Sequence, residues 1–186
     1  GGGYAHKTEA AICAQLAAMA NPNDPTTLPR PMYIRAPDVT MKKPQHIIQS
    51  ITNAHIPALV ALHHESFGEA SWNDEQIRGS LSLATTQGWI AFSNNQPAGF
   101  ILCQYVEGEA EILTLCVKPS NRRQHIGEKL LQHVLGAAQK TNAKNIFLEV
   151  ASTNISARRL YEKTGFANIG NRKNYYQHGS TKTDAV

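Results

Sequence analysis

The chain is poor in cysteine, with three in 186 residues, and Cys13, Cys103 and Cys116 share no paired spacing. That excludes a disulfide scaffold and a thiolate zinc site, and it suits a reducing compartment such as the cytoplasm. No apolar run is long enough to span a bilayer. The Ala-rich stretch "AAICAQLAAMA" is broken by Gln15 and follows Glu9 rather than positive charge, which sets a secretory leader aside. Charge is also sparse: 17% of residues are charged and the formal net charge is +4. Such a balance selects no partner by itself. No Lys/Arg run resembles a nucleic-acid footprint, so neither a membrane nor direct nucleic-acid binding is expected. Metal ligands are missing too. His63 and His64 are adjacent on a predicted helix, point in different directions, and have no third ligand at useful spacing. They read as surface or packing residues. What remains is a globular composition, 41% apolar, in a chain long enough to bury a core.

The sequence changes character near residue 45. Before it, a short helix is predicted over about 6–20, followed by an extended segment with six prolines between Pro22 and Pro44. We read residues 1–45 as a helix plus Pro-rich tail and residues 46–186 as a separate domain. In that domain "HIIQSI" predicts a strand. Asn53 is the expected cap of a helix through "AHIPALVALHHESF", and Asn73 that of a helix through "DEQIRGSLSL". "GWIAFS" and "AGFILCQYV" predict strands joined by the turn "NNQP". "AEILTLCVKP" is a strand stopped by Pro119. Ile126, Leu130, Leu131, Val134 and Leu135 then form one helical stripe. "NIFLEV" is a strand, "NISARRLYEKTG" a helix ended by Gly165. "FANIGNRKNYY" is strand-like, and "TDAV" looks like a last strand cut short. The order β-α-α-β-β-β-α-β-α-β implies a mixed α/β or α+β sheet.

Chemistry concentrates in "NRRQHIGEKLLQH", residues 121–133. A helix start leaves about four backbone N–H groups unpaired and carries about half a positive charge, which makes it an anion site. Arg122 and Arg123 add cations, and Gly127 admits close approach to the backbone.

A strand feeds this loop. A second strand ends at Glu149, and the helix after it carries Asn154 and Tyr161. The set "EILTLCVKPSNRRQHIGEKLL" with "IFLEVASTNISARRLYEKTGF" resembles the GNAT superfamily of N-acetyltransferases. "LEV", "LYEKTGF" and "RKNYY" resemble its RimI-type branch, the ribosomal-protein alanine N-acetyltransferases. The resemblance implies a mixed sheet of roughly six to seven strands flanked by about four helices. It implies acetyl-CoA as cosubstrate, with no metal. The diphosphate would lie on Arg122, Arg123, Gln124, His125, Ile126, Gly127 and Glu128. Backbone groups of Leu115, Cys116 and Val117 would face the pantetheine arm, with Asn154 opposite. His125 stands where the family has glycine. If that position needs a positive φ, its Cβ costs on the order of 1–2 kcal/mol, and histidine tolerates the region better than most.

By the same resemblance Glu149 is the general base, with Glu111 on the preceding strand as the alternative. Tyr161 would protonate the departing sulfur. Trp72, Tyr175 and Tyr176 would contact the acceptor. Asn154 also reads as a plain helix cap and Cys116 as a small buried hydrophobe. The implied acceptor is a protein N-terminus, that of a small-subunit ribosomal protein. An α-amine has a reference pKa of about 7.7–8.0 against about 10.4 for lysine, so it needs less help to become a nucleophile. A small amine or lysine acceptor, or a non-catalytic acyl-CoA-binding module, are the alternatives. Finally, "PRPMYIRAPDVTMKKP" resembles the C-terminal tail of YeaZ/TsaB-type proteins. With the initial Gly1-Gly2-Gly3, this leads us to expect the end of a fusion.

Overall fold

The Asn-Asn turn organises the centre of the fold. Asn94 and Asn95 take φ of 49° and 61°, the left-handed pair that a tight hairpin with right-handed twist requires. They join β2 (Thr86–Ser93) to β3 (Gln96–Val106). Glu107 and Gly108, at φ 50° and 85°, turn β3 into β4 (Glu109–Val117). The computed structural model describes residues 45–178 and 181–186. The helix expected over 6–20 and the Pro-rich segment up to 44 lie outside these residues.

β1 (His46–Ser50) pairs antiparallel with β2, and β5 (Asn145–Leu148) pairs parallel with β4. The order is β1-β2-β3-β4-β5. α1 (Ile56–Phe67) and α2 (Asp74–Ser82) cover one face. There Ile56, Leu59, Leu62 and Ile77 meet Ile90, Phe100, Leu102 and Cys116. α3 (Ile126–Lys140) covers the other face, setting Ile126, Leu130, Leu131 and Val134 on Ala91, Ile101, Cys103, Ala110 and Ile112. Each such side chain contributes about 1.5–3 kcal/mol on burial. α4 (Ile155–Lys163) follows β5 and ends before Gly165 at φ 98°.

Local signals act as expected for α2, where Asn73 Oδ1 accepts from Gln76 N–H at 2.9 Å and Gln76 returns the bond to Asn73 N–H at 3.0 Å. At α1 the cap is His55, two residues later than expected, because a 3₁₀ turn capped by Thr52 comes first. Asn53–His55 form a short 3₁₀ turn, and Thr52 N–H donates to His55 Nδ1 at 3.0 Å.

The central sheet holds five strands, fewer than the resemblance implied. β6 (Arg172–His178) and β7 (Thr181–Ala185) form a two-stranded ribbon of their own. The cause lies just after β5, where the chain leaves β4. Val150 and Val186 exchange backbone bonds of 3.0 and 2.9 Å, and Ser152 N–H donates to Asp184 O at 2.8 Å. The chain thus goes on pairing, but with β7 instead of β4.

Candidate active site

β4 is zipped to β3 along its length but to β5 only from Glu109↔Asn145 to Ile112↔Leu148. Beyond that register the two parallel strands part. A bulge sits at the same point, since Cys103 faces Ile112 while Leu102 faces Thr114. The extra residue reverses which side chains serve which face. Ala110 and Ile112 pack toward α3; after the bulge Leu115 and Val117 do so, while Cys116 turns toward α1. Leu115, Cys116 and Val117 therefore line the parted segment by their backbone. Burial pushes the Cys116 thiol up to about 12, so it is not a nucleophile. Gly99 sits opposite Val117, and a Cβ there would lie 2.6 Å from the Cys116 carbonyl oxygen. Only glycine lets β3 approach the end of β4 this closely.

The basic loop follows. Pro119–Asn121 form a 3₁₀ turn, and Arg122 Nε donates to Val117 O at 3.2 Å. Arg123 and His125 take φ of 60° and 61°. His125 thus occupies the left-handed conformation that its place in the pattern demands, and two non-glycine residues carry strain at a helix start. α3 has no side-chain N-cap; its first backbone bond runs from Lys129 N–H to His125 O at 3.1 Å. The N–H groups of Ile126, Gly127 and Glu128 are left for an anion. Ile126 is buried and anchors the turn. Gly127 has a packing reason as well: a Cβ would lie 3.0 Å from Leu160 Cδ2 of α4. Glu128 is held from two sides, by His125 Nδ1 at 3.1 Å and by Lys163 Nζ at 2.8 Å. These partners, Lys163 first, hold its carboxyl below the usual range. Gln124 Nε2 donates back to Ser120 O at 3.4 Å.

Over the paired segment of β4 and β5, reaching Glu149 at its end, lies a cleft of about 810 Å³. Its lining includes Glu107, Glu109, Glu111 and Glu149, with Val106, Phe147 and Ile169 as an apolar rim. Both candidate bases are present. Glu111 is exposed and level with Phe147, inside the paired segment. Glu149 lies just past the last pair, and its Oε1 meets Arg172 Nη1 at 2.8 Å. Tyr176 Oη donates to the Glu149 carbonyl oxygen at 3.1 Å, and Tyr175 stands edge-on to Tyr176 at 5.0 Å. Burial first, then Glu149, pushes the Tyr176 phenol up to about 12.

Tyr161 lies across β5, on the α3 side, in a smaller pocket that shares Phe147, Leu148 and Ile169 with the cleft. It packs edge-on to Phe166 at 5.8 Å, and burial, then Tyr176, pushes its phenol up to about 12. Asn154 is the cap of α4, its Oδ1 accepting from Ala157 N–H at 3.1 Å. Trp72 is not in the cleft lining. Its ring stacks on His63 at 5.3 Å, and the Trp72 backbone N–H donates to His63 Nδ1 at 3.0 Å. His63 is a packing residue, buried against Phe67, Trp72 and Phe100. Because Nδ1 accepts, Nε2 carries the proton toward Thr114 Oγ1 of β4 at 3.2 Å. Burial lowers its pKa to about 4.

Residues 48–166 match the acetyltransferase (GNAT) family. This chain belongs to that family. It is 31% identical over 143 residues to the ribosomal protein bS18-alanine N-acetyltransferase of Escherichia coli K12, covering 75% of this chain and 93% of that protein. It is 33% identical over 133 residues to N-alpha-acetyltransferase 50 of Danio rerio, covering 68% and 77%. Among solved structures, the Escherichia coli ribosomal-protein-S18-alanine N-acetyltransferase superposes with a TM-score of 0.71 at 26% identity, covering 76% of this chain and 90% of that one. Arabidopsis thaliana NAA60 in complex with acetyl-CoA gives 0.67 at 16% identity, over 76% and 95%, and shares the fold. The chain is thus an acetyl-CoA-dependent GNAT N-acetyltransferase. Among the described residues no group of His, Cys, Asp and Glu could hold a metal, and no helix is long and apolar enough to cross a membrane.

Arg172 and Lys163 were not expected as parts of the site. Arg172 opens the quoted "RKNYY", but no spacing rule ties it to a residue in a different strand. Lys163 reaches Glu128 across 35 positions, beyond any local pattern.

Proposed function

We propose that this GNAT enzyme acetylates the N-terminal α-amine of a protein, an alanine-starting ribosomal protein in particular, in the cytoplasm. The observation that carries the reading is the acidic cleft over the paired segment of β4 and β5, which reaches Glu149 at the point where the strands part. Its four carboxylates, Glu107, Glu109, Glu111 and Glu149, suit a cationic chain end. The apolar rim suits the peptide behind it. Similarity over three quarters of the chain to an alanine N-acetyltransferase supports the same acceptor.

The unpaired N–H groups of Ile126, Gly127 and Glu128, with Arg122, Arg123, Gln124 and His125, fit a diphosphate. The free backbone of Leu115, Cys116 and Val117 and the exposed amide of Asn154 fit an extended arm. Bound there, acetyl-CoA supplies the acetyl thioester. Glu149 takes a proton from the acceptor ammonium, directly or through water, and leaves a neutral amine. Its position at the first unpaired level of β5 favours it over Glu111. The amine forms the new N–C bond as the C–S bond breaks, and the second proton that nitrogen then loses replaces, through water, the one Tyr161 gives to sulfur. Tyr161, held protonated by burial, gives its proton to the departing sulfur from the far side of β5. A phenol is a weaker acid than a thiol of pKa about 8.5, so this transfer depends on position. Tyr175 and Tyr176, which are not in the cleft lining, would act on the acceptor through Arg172 and Glu149, which they contact. Trp72 shapes the acceptor's path only through the packing of the α1–α2 connection.

Turnover of Ala-, Ser- and Met-starting peptides, compared with polyamines and lysine peptides, tests the acceptor. The expected order puts Ala-starting peptides first; faster turnover of polyamines overturns it. Calorimetry with acetyl-CoA tests the cradle, and absence of uptake by folded protein removes it.

A further inference from the structure

Glu149 is already paired. The Arg172 guanidinium meets its Oε1 at 2.8 Å, from a side chain that is 69% exposed, against 24% for Glu149. Two features of the ribbon set this contact. Arg172↔Ala185 and Tyr176↔Thr183 leave three β6 residues opposite one β7 residue, a bulge turned by Asn174 at φ 56°. Asp184 Oδ1 accepts from Asn174 N–H at 2.8 Å and fixes the bulge. Arg172 also lies over the Tyr175 ring, 5.6 Å from its centroid. The guanidinium is thereby kept at the cleft, yet nothing covers it.

We infer that Arg172 is a specificity-determining residue that occupies the ammonium position on Glu149 until a cationic acceptor end displaces it. The inference rests on the proposed acceptor chemistry and adds a competitor to it. Arg172 already neutralises the one negative charge of Glu149, so an α-ammonium that comes to the same carboxylate meets a like charge and binds more tightly where the guanidinium swings away. An exposed pair is worth little and exchanges readily, which is what a displaceable placeholder needs. An acceptor end that presents no cation cannot exchange with it, so neutral amines and blocked N-termini are refused.

Among the described residues, the groups about the Glu149 carboxylate are Arg172, Tyr175 and Tyr176 from β6, with Glu111 from β4 beside Tyr175. Arg172 is the one cation among them.

The test is steady-state kinetics of wild type, R172Q and R172K with an Ala-starting peptide at saturating acetyl-CoA. In R172Q the peptide KM falls about two- to fivefold, the scale of an exposed ion pair, while kcat stays within about twofold. R172K returns KM toward wild type. A KM that rises in R172Q makes Arg172 an ordinary acceptor contact and overturns the inference, as does a KM that stays in place while kcat falls. If R172Q loses acetyl-CoA binding by calorimetry, R172M keeps an apolar stem over Tyr175 and carries the same expectation. A wild type inactive on Ala-starting peptides sinks the proposed acceptor instead, so the two failures are distinguishable.

Discussion

α1 and α4 are both amphipathic helices laid against the same sheet, yet they bury very different amounts. α1 hides Ile56, Leu59, Leu62 and His63; α4 hides no residue completely. The same contrast runs through the strands. β3 carries an unbroken buried run from Ala98 to Cys103, whereas β5 pairs for four residues and keeps Phe147 37% exposed. Stability is concentrated in β1–β4 with α1 to α3, and the candidate chemistry sits where that core stops. A parted pair of strands leaves backbone groups for a ligand to satisfy, and such an opening is compatible with folding only if the neighbouring half is sealed.

The largest effect should come from the open half. Glu149→Gln is expected to lower kcat by about 10²–10⁴-fold with acetyl-CoA affinity intact, measured by turnover and calorimetry, while Glu111→Gln stays within about tenfold. Equal losses would erase the distinction between paired and unpaired levels of β5. In the sealed half, His63 gives the next largest effect. Its folded pKa of about 4 lies below the unfolded 6.5. The unfolded chain therefore binds the extra proton between those values. Stability is complete above pH 6.5 and falls by up to about 3 kcal/mol as pH drops toward 4. Denaturant unfolding across that range should show the loss, and His63→Phe should flatten it. Gly99→Ala forces a Cβ onto the Cys116 carbonyl oxygen and should cost about 1–3 kcal/mol, read from the same titrations. The smallest effect belongs to the exposed tie between α3 and α4. Lys163→Met should raise the acetyl-CoA Kd less than about fivefold, because a salt-screened surface pair is worth little.

Short-range features were legible in the sequence because their causes are short-range. The Asn94-Asn95 hairpin, the Asn73 cap, the α3 stripe and the basic loop before it all follow from residues within a few positions of one another. The family resemblance raised the question of a left-handed residue at His125 and pointed to Glu149 and Tyr161. The bulge near Leu113 was hidden, since a pattern of period two gives no sign of one added residue in a strand whose neighbours are all apolar. Thr114 and His63 were equally opaque: the two are 51 residues apart, and their bond is set by packing. The ribbon was read as part of the main sheet because its strand pattern is ordinary; only the pairing of Val150 with Val186 reveals where it docks.

That docking has a practical side. Ala185 and Val186 help form the wall of the cleft. A dye or other bulky group coupled at either residue would crowd that wall, and the slowed turnover would read in an assay as a weak enzyme.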